Sequence, residues 1–446
     1  MLNLTQKALQ TLRQQGGVLS SAGLQEQLGV SQPTVSRALA PLIQSGQVQK
    51  VGAARSQQYV LPRTVPGVGR EVLAMRVDTR GQPSPFARLV PLEGGAFWVD
   101  EADGVSARHG GLPWFLDDMR PQGFMGRTLA HAHPELQLGS DPRNWNDDDV
   151  LRALTLFGDD LPGNLILGEA AFQRFHTLPQ RASRVASAAE YPHLAEQAMQ
   201  GTHPGSSAGG EQPKFCTITA GRPVLVKFSP AGDAPVDQRV RDLLVCEHLA
   251  LQALAGAGLP AAKTQIFTGA GRVFLESERF DRVAHQPNAQ PDPQCGPIGR
   301  IGMVSLQVYD AEYVGEMDNW AATANRMAAR KLLAADDARV LRLLEAFGVL
   351  IGNTDRHYGN ISLLLKDDDW ALSPTYDMLP MLYAPVGGEL VARNFATRPL
   401  QPTAATLPEW AQAKALAVAF WQAVAGDQRV SAGFRAIAAD NAGAIG

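Results

Sequence analysis

A polar loop set between a helix and a strand constrains this chain more than any other segment. The loop reads "NTDRHYGN" and covers residues 353–360. Before it, "DARVLRLLEAFGVLIG" repeats apolar residues at helical spacing, and after it "ISLLL" has the pattern of a buried strand. The polar residues Asn, Asp, Arg and His therefore lie between two elements that are predicted to be buried. Such a loop is either satisfied by its own hydrogen bonds or holds something that is not protein.

The sequence after the loop predicts a hairpin that returns to it. "ISLLL" is followed by the turn "KDDD", the return strand "WALSP" and then "TYDM". A hairpin about Asp367–Asp368 sets Asn360 opposite Thr375 and brings Asp377 to the same end. An amide oxygen and a carboxylate together suit Mg²⁺, which prefers oxygen ligands and often also coordinates phosphate oxygens. The loop and the hairpin therefore predict a site for Mg²⁺ and a nucleotide.

The spacing inside the loop supports this interpretation. Asp355 lies five residues before Asn360, as the catalytic Asp and the metal-binding Asn do in protein-kinase catalytic loops. Asp355 would then orient or deprotonate an acceptor hydroxyl, and His357 would lie beside the phosphates or the sugar. The alternative is a polar turn with local hydrogen bonds and a satisfied histidine.

A Gly-rich segment and a lysine precede the loop in the order that a kinase has. "HPGSSAGGEQPKF" (His203–Phe215) lies ahead of the strand-like runs "CTIT" and "PVLVKF". Such a segment can lay backbone N–H groups on phosphates, although it lacks the pattern of a Walker A loop. Lys227 in the second run stands where protein kinases hold phosphate. The alternative is a lysine on an exposed face or an edge strand.

Two further segments complete this order. Glu247, on the helical pattern "DQRVRDLLVCEHLALQALAGAGL", either reaches back to Lys227 or faces solvent. "RVFLESERFDRV" (Arg272–Val283) alternates as a strand and then becomes charged. In a kinase this would be the hinge, whose backbone edge pairs with adenine.

The first 63 residues have a different character. Six Lys and Arg residues against the single acid Glu26 give them a net charge of +5, whereas the whole chain has −4, so the remainder has −9. A basic head on an acidic body is typical of a head that meets a polyanion. Three short helical patterns and the hairpin pattern "QVQKVGAARSQQYVL" predict a winged helix-turn-helix, followed by a linker at Pro62–Arg70.

In a winged helix-turn-helix the second helix of the pair enters the major groove of duplex DNA. The exposed side chains that would reach base edges are Ser31, Gln32, Thr34, Ser36 and Arg37. Arg55, at the hairpin tip, would touch the DNA backbone or the minor groove. The alternative is a three-helix module that binds protein.

The remaining composition excludes several classes of protein. The cysteines Cys216, Cys246 and Cys295 are odd in number and form no CxxC or Cys/His cluster, which argues against a disulfide framework and a zinc site. The N-terminus has no apolar signal region, and apolar runs such as "ALAVAF" are far too short to span a membrane. We therefore expect a cytoplasmic protein that does not associate with membranes.

Taken together, the motifs resemble the HipA family of bacterial Ser/Thr kinases. The matching pieces are "SSAGGEQPK", "VLVKF", "ESERFDR", "IGNTDRHYGN" and "PTYDM", in the family's order, from about Gly201 to Pro380. The resemblance implies an ATP- and Mg²⁺-dependent protein kinase with Asp355 as catalytic base and Asn360 and Asp377 as metal ligands. The nucleotide-binding residues that it implies are Ala208, Gly209, Gly210, Glu211, Gln212, Lys214, Lys227, Glu278, Arg279, Phe280, His357 and Tyr376.

The resemblance also implies regulation and partners. Ser206, or Ser207 beside it, aligns with the serine at which family members phosphorylate themselves, although Glu211 and Pro213 depart from the usual loop residues. Family members typically act as growth-arresting toxins whose DNA-binding antitoxin is a separate chain. A winged helix on the same chain resembles a fused subgroup, so a separate antitoxin is a possible rather than a required partner. The expected substrate is a protein with a Ser or Thr acceptor.

We therefore predict an α+β protein: a winged helix-turn-helix followed by a HipA-like, two-lobed, protein-kinase-like body. The predicted domains are residues 1–63 (the DNA-binding head), 64–200 (a β-rich subdomain), 201–285 (the part with the Gly-rich loop and the lysine strand) and 286–446 (the mainly helical lobe with the catalytic loop). The alternative function is a transcription regulator whose body senses nucleotide without transferring phosphate.

Overall fold

The structure is a computed structural model that describes residues 2–52, 57–181, 184–185, 187–200, 211–283 and 298–446. These residues form a small N-terminal unit, a middle unit and a large C-terminal unit. Within the described ranges, no helix combines the length and the apolar character needed to cross a membrane.

The N-terminal unit consists of three helices and a small antiparallel sheet. Its elements are α1 (Leu4–Gln14), β1 (Val18–Ser20), α2 (Ser21–Leu28), α3 (Gln32–Gln44), β2 (Gln49–Val51) and β3 (Gln58–Val60). The strand order is β1-β3-β2. A capping box between Asn3 and Gln6 starts α1, and the Ser20 side chain accepts a backbone N–H at the start of α2. The apolar faces of the three helices meet in one core.

The middle unit is built on a five-stranded antiparallel sheet of order β7-β6-β5-β4-β8. Its elements are β4 (Val72–Val77), β5 (Pro83–Pro91), β6 (Phe97–Glu101), β7 (Ser106–His109), α4 (Gly123–Ala132), α5 (Asp147–Phe157), β8 (Leu165–Leu167) and α6 (Glu169–Arg181). Buried residues of α5, among them Leu151 and Leu154, share a core with Leu89 and Val99 of the sheet. A short 3₁₀ helix, Trp114–Met119, lies between β7 and α4.

The N-terminal unit packs directly on the middle unit. Val60 of β3 and Trp98 of β6 belong to one buried cluster. Beside it, the guanidinium of Arg63 donates two hydrogen bonds to the carboxylate of Asp148, at 2.5 and 2.6 Å. A bidentate Arg–carboxylate pair has a defined geometry, so it fixes orientation as well as proximity.

The C-terminal unit has a sheet-rich half and a helical half. The first contains β9 (Arg184–Val185), α7 (Tyr191–Met199), β10 (Lys214–Thr219), β11 (Arg222–Phe228), α8 (Pro235–Gly256), β12 (Thr264–Gly269), β13 (Arg272–Glu278) and β14 (Arg282–Val283). The second contains β15 (Gly299–Arg300), β16 (Met303–Ser305), α9 (Leu306–Tyr313), α10 (Trp320–Ala329), α11 (Ala335–Leu350), β17 (Ser362–Lys366), β18 (Asp369–Leu372), α12 (Trp410–Gly426) and α13 (Ala432–Ile445). The main sheet has the order β12-β13-β11-β10-β9, so β11 is central.

Helix α8 joins the two halves. Its buried residues share the largest core of the chain with α11 and α12. The carboxylate of Asp242 accepts the backbone N–H of Ser431 at 2.8 Å and its hydroxyl at 2.6 Å. One turn earlier, Arg239 donates to the carbonyl oxygen of Tyr383 at 3.1 Å and lies over the ring of Phe434. Apolar burial and polar contacts therefore tie α8 to the helical half.

Candidate active site

The hairpin formed by β17 and β18 turns where the sequence predicts. Lys366 pairs with Asp369, so the two turn residues are Asp367 and Asp368. Their φ angles are +49° and +67°, the left-handed conformation that a two-residue hairpin turn requires and that Asp tolerates better than most residues. After the hairpin the chain leaves β17, since the N–H of Thr375 donates to the carbonyl oxygen of Pro260 at 3.0 Å.

The polar loop before the hairpin is folded around Asp355. Its backbone N–H donates to Asn353 Oδ1 at 2.9 Å, and its carbonyl oxygen accepts Asn360 Nδ2 at 2.9 Å. The Asp355 side chain is 50% exposed, and its Oδ1 lies 3.7 Å from His357 Nε2. Asn360 is buried, and no hydrogen bond among the described residues occupies its Oδ1. The loop therefore presents a carboxylate and an amide oxygen side by side.

Buried contacts hold this loop in place from behind. Arg356 pairs with the buried Glu345 at 3.0 Å and also donates to the carbonyl oxygen of Asn353. On the other side, the hydroxyl of Tyr376 donates to the carbonyl oxygen of Gly359 at 3.0 Å. Because Tyr376 directly precedes Asp377, and Gly359 directly precedes Asn360, this bond joins the two segments that carry the predicted metal ligands.

Lys227 is buried in the central strand β11 and has two carboxylate partners. Its Nζ lies 2.7 Å from Glu247 Oε1 and 2.9 Å from Glu247 Oε2, and it also contacts Asp377 Oδ1. Glu247, on α8, is buried as well, whereas the Asp377 side chain is 31% exposed. Lys227 is therefore neither on an edge strand nor on an exposed face, and Glu247 does not face solvent.

The opposite charges of this cluster each favour the ionised form of their partner. Burial lowers the pKa of Lys227, but the carboxylates of Asp377 and Glu247 raise it more, so the pKa lies above its usual range and the ammonium stays charged. For Asp377, burial raises the pKa, but Lys227 and Lys214 lower it more, so the net shift is downward. Asp377 is therefore an anion held between two cations. Its φ of +52° lies in the left-handed region, which is uncommon outside glycine but which Asp tolerates better than most residues.

The strand before β11 adds a second lysine to the cluster. Lys214 pairs in register with Lys227 across β10 and β11 and is buried. Burial lowers its pKa to about 8, an effect that Asp377 opposes and Lys227 strengthens. Of its predicted companions, Gln212 donates to the carbonyl oxygen of Phe228 at 3.0 Å, and Glu211 pairs with Arg127 of α4 at 2.5 Å. Lys214 thus joins the cluster, whereas the Glu211 side chain faces the middle unit.

The predicted hinge residues have different surroundings: the backbone N–H groups of Glu278 and Arg279 are bonded to backbone, whereas the Phe280 ring lies beside Tyr376. The backbone N–H of Glu278 donates to the carbonyl oxygen of Lys263 at 2.9 Å, and that of Arg279 donates to Pro223 at 3.0 Å. Phe280 faces the segment that follows the hairpin, where its ring lies 5.7 Å from that of Tyr376. The backbone N–H groups of Glu278 and Arg279 are thus occupied by neighbouring backbone.

The Arg279 side chain points away from this site into a buried ion network. It pairs with Asp281 at 3.0 Å and with Asp160 of the middle unit at 3.1 Å. Arg282 pairs with the same two carboxylates, at 2.7 and 2.8 Å, and Asp281 also accepts the backbone N–H of Gly163 at 3.0 Å. The ion pairs of Arg279 and Arg282 with Asp160 therefore attach the predicted hinge segment to the middle unit.

Several predicted residues lie outside the described part of the chain. These are Ser206, Ser207, Ala208, Gly209 and Gly210 of the Gly-rich segment, and Arg55 of the hairpin in the head. Of the residues predicted to contact DNA, Ser31, Gln32 and Arg37 are exposed at the start of α3, and Thr34 and Ser36 are half-buried.

The structure adds residues that the sequence did not single out. Glu345 escaped notice because a Glu in an amphipathic helix normally faces solvent. Asp118, in the middle unit, accepts the backbone N–H of Ser305 at the start of α9, although the two are far apart in sequence. The only sequence signal for Asp118 is its place in the aromatic-rich turn "LPWFLDDM".

Comparison with solved structures identifies the fold. A chain of the Shewanella oneidensis MR-1 toxin–antitoxin complex of HipA, HipB and operator DNA superimposes with a TM-score of 0.53 at 15% identity, covering 83% of this chain and 95% of that one. At this identity the likeness concerns the fold alone, which is the mixed α/β, kinase-like fold of HipA.

Comparison with sequence families is more specific. Residues 206–440 match the HipA-like C-terminal domain, and residues 68–176 match the middle domain of YjjJ-like toxins. Toxin YjjJ of Escherichia coli (strain K12) is 37% identical over 433 residues, covering 95% of this chain and 94% of that protein. A putative kinase of Sinorhizobium fredii (strain NBRC 101917 / NGR234), Y4mE, is 29% identical over 147 residues, which are 31% of this chain and 33% of that protein. This chain belongs to the HipA-like family of toxin kinases, as the motifs predict.

Proposed function

We propose that this protein is an ATP- and Mg²⁺-dependent protein Ser/Thr kinase of the HipA toxin type, with a DNA-binding head on the same chain. One observation carries the enzymatic part. A buried lysine, Lys227, is held between Glu247 and Asp377, next to the loop that presents Asp355 and Asn360. A buried lysine with two carboxylates is costly to assemble, and such charge clusters are common at functional sites.

Each group has a defined part in phosphoryl transfer. Asp355 is half exposed and accepts a hydrogen bond from the acceptor hydroxyl, which orients the hydroxyl oxygen toward the γ-phosphoryl group. Lys227 places a fixed positive charge where the phosphate oxygens gather negative charge. Glu247 holds the ammonium in that position. Phe280 and Tyr376 provide aromatic surface for the adenine ring.

The residues present fit a magnesium ion. Asp377 is kept anionic by its lysine neighbours, and Asn360 has an amide oxygen that accepts no hydrogen bond among the described residues. In the described ranges, no three His, Cys, Asp or Glu side chains gather as a metal cluster. Mg²⁺ commonly takes one or two protein oxygens and completes its shell with phosphate and water, so a pair of ligands is sufficient. When bound, Mg²⁺ would neutralise phosphate charge.

The test is transfer of labelled phosphate from ATP to the protein itself or to a Ser- or Thr-containing protein. We expect transfer by the wild type and its loss in Asp355→Ala, which leaves the backbone contacts of the loop intact. Asp369→Ala is the matched control, since Asp369 is exposed on the nearby β18. Transfer that persists in both Asp355→Ala and Asp377→Ala would refute the proposal. Growth arrest on overproduction, absent for Asp355→Ala, would connect the chemistry to toxicity.

One contact favours a second candidate, a transcription regulator that binds nucleotide without transferring phosphate. Lys227 and Asp377 contact one another directly, so each neutralises a charge that catalysis would use. The same assay separates the candidates, because this regulator would bind ATP and yet leave every acceptor unlabelled.

We propose that residues 1–63 form a winged helix-turn-helix that binds duplex DNA. The order of helices and strands, the basic charge and the exposed start of α3 support this. In the solved Shewanella oneidensis complex the operator DNA accompanies HipA and HipB. In this protein the DNA-binding head would be part of the same chain as the kinase-like body. Co-purification tests for a separate antitoxin.

The DNA proposal is tested by the dependence of affinity on salt. We expect Arg37→Ala to weaken binding, and to reduce the slope of log affinity against log salt by about 1 if Arg37 contacts a phosphate. Arg13→Ala is the control, because Arg13 faces the middle unit and pairs with Glu93 at 3.0 Å. Binding that is absent, or insensitive to salt, would contradict the proposal.

A further inference from the structure

A short 3₁₀ helix of the middle unit reaches into the catalytic half of the C-terminal unit. Asp118, near the end of Trp114–Met119, accepts the backbone N–H of Ser305 with its carboxylate. The ring of Trp114, at the other end of the same helix, lies 5.6 Å from that of Tyr313 on α9. The middle unit thus holds both ends of α9.

Ser305 pairs with the strand that directly follows the catalytic loop. It caps the start of α9, where its hydroxyl accepts the N–H of Val308 at 3.2 Å. It also pairs in register with Ser362, the first residue of β17. The next N–H, that of Leu306, donates to the carbonyl oxygen of Ile361 at 2.8 Å. Any shift of Ser305 would therefore move the segment that directly follows Asn360.

The hydrogen bonds continue from Ser362 into the loop. Its hydroxyl lies 2.7 Å from the hydroxyl of Tyr376, which donates to the carbonyl oxygen of Gly359 at 3.0 Å. A path of strand pairing and hydrogen bonds therefore runs from the carboxylate of Asp118 through Ser305, its register partner Ser362 and Tyr376 to the loop between Asp355 and Asn360.

The preceding residue differs from Asp118 in its surroundings. Asp117 is 42% exposed and pairs with Arg120 on the surface of the middle unit. The Asp118 carboxylate instead faces the start of α9 and accepts the N–H of Ser305; burial raises its pKa, and the hydrogen bonds from Ser305 oppose that rise. Two adjacent aspartates on one short helix thus provide a test residue and its matched control.

We propose that Asp118 is a positioning residue for the catalytic loop, so that the middle unit forms a working part of the active site. The inference rests on the proposed kinase function, because it assigns to Asp118 the ordering of Asp355 and Asn360 for phosphoryl transfer. Asp118 does not touch substrate. It acts through Ser305, Ser362 and Tyr376.

The experiment compares Asp118→Ala, Asp118→Asn and Asp117→Ala in the full-length protein. We expect Asp118→Ala to lower kcat by about 10- to 100-fold, since it removes a charge-assisted hydrogen bond at the head of the path. The KM for ATP should change less than kcat, because Lys227 and Glu247 lie outside this path and Tyr376 keeps its ring beside Phe280. Asp118→Asn keeps an acceptor oxygen and should retain more activity than Asp118→Ala. Asp117→Ala should behave as the wild type.

Hydrogen exchange gives a readout that does not depend on activity. In Asp118→Ala, we expect faster exchange in residues 355–362 than in the same residues of Asp117→Ala, with the sheet of β10–β13 unchanged. Equal exchange and equal kcat in the two alanine variants would overturn the inference while leaving the kinase proposal intact. Absence of transfer in the wild type would refute the proposed function, and exchange in residues 355–362 would still decide whether Asp118 orders the loop.

Discussion

Replacing Glu247 with Gln would test the central ion pair with almost no change in shape. Glu247 gives Lys227 two short contacts, at 2.7 and 2.9 Å, in a buried setting. In Glu247→Gln the amide retains one acceptor oxygen but loses the charge, and Asp377 becomes the sole carboxylate partner of Lys227 among the described residues. The ammonium is then drawn toward Asp377, away from the position that Glu247 defines.

The expected magnitude follows from the loss of one charged partner. A hydrogen bond to a charged group contributes about 1.5–3 kcal/mol to stability, more than a neutral one. If that amount is lost from the transition state, the rate falls by about 10- to 150-fold, since each ~1.4 kcal/mol is a factor of ten. We expect the loss chiefly in kcat, because the charge of Lys227 matters most when the phosphoryl group is in transit.

The assay is the steady-state rate of phosphate transfer as a function of ATP concentration. The matched control is Glu276→Gln, which makes the same chemical change at an equally buried site on β13 of the main sheet. Glu276 accepts the hydroxyl of Tyr191 and pairs with Arg222, so it lies away from Lys227. Its variant should lose stability but keep its turnover rate. A kcat/KM for Glu247→Gln within about twofold of the wild type would refute the reasoning.

Three further changes have defined outcomes. Burial raises the pKa of Asp281, but its arginine partners lower it more, so the net shift is downward. The ionised Asp281 carboxylate therefore stabilises the fold fully above about pH 4–5, and this stabilisation fades as the pH falls toward the folded-state pKa. The free energy of urea unfolding should consequently depend less on acid in Asp281→Asn than in the wild type. Gly299→Ala would place its Cβ against the carbonyl oxygen of Thr79, and we expect a loss of about 1–3 kcal/mol, measured by denaturation. Tyr376→Phe removes the hydrogen bond to Gly359 while keeping the ring, so kcat should fall by about 2- to 12-fold, the equivalent of ~0.5–1.5 kcal/mol, with little change in the KM for ATP.

The parts of the site that depend on local rules could be predicted from the sequence. The turn at Asp367–Asp368 follows from strand alternation on both sides and from residues that tolerate a positive φ. That turn sets the register of the hairpin. The direction in which Lys227 points could not be predicted in this way, because alternation assigns it a face but does not say what covers that face.

Long-range contacts account for what the sequence left undecided. Lys227 is buried because α8 packs over β11 and brings Glu247 to it. The side chain of Arg279 leaves the predicted nucleotide site because Asp160, from a different unit, attracts it. Asp118 meets Ser305 only after the middle and C-terminal units have docked. Each of these contacts depends on how separate elements pack, which periodicity does not encode.

The attachment of α8 to the C-terminal helices has a consequence for control. Many protein kinases are switched off by an outward swing of the helix that carries the glutamate partner of the lysine. In this protein such a swing would break both bonds between Asp242 and Ser431 and pull Arg239 from the ring of Phe434. Because a swing would cost these contacts, we expect Glu247 to remain beside Lys227 and we expect control to act on the entry of nucleotide or acceptor.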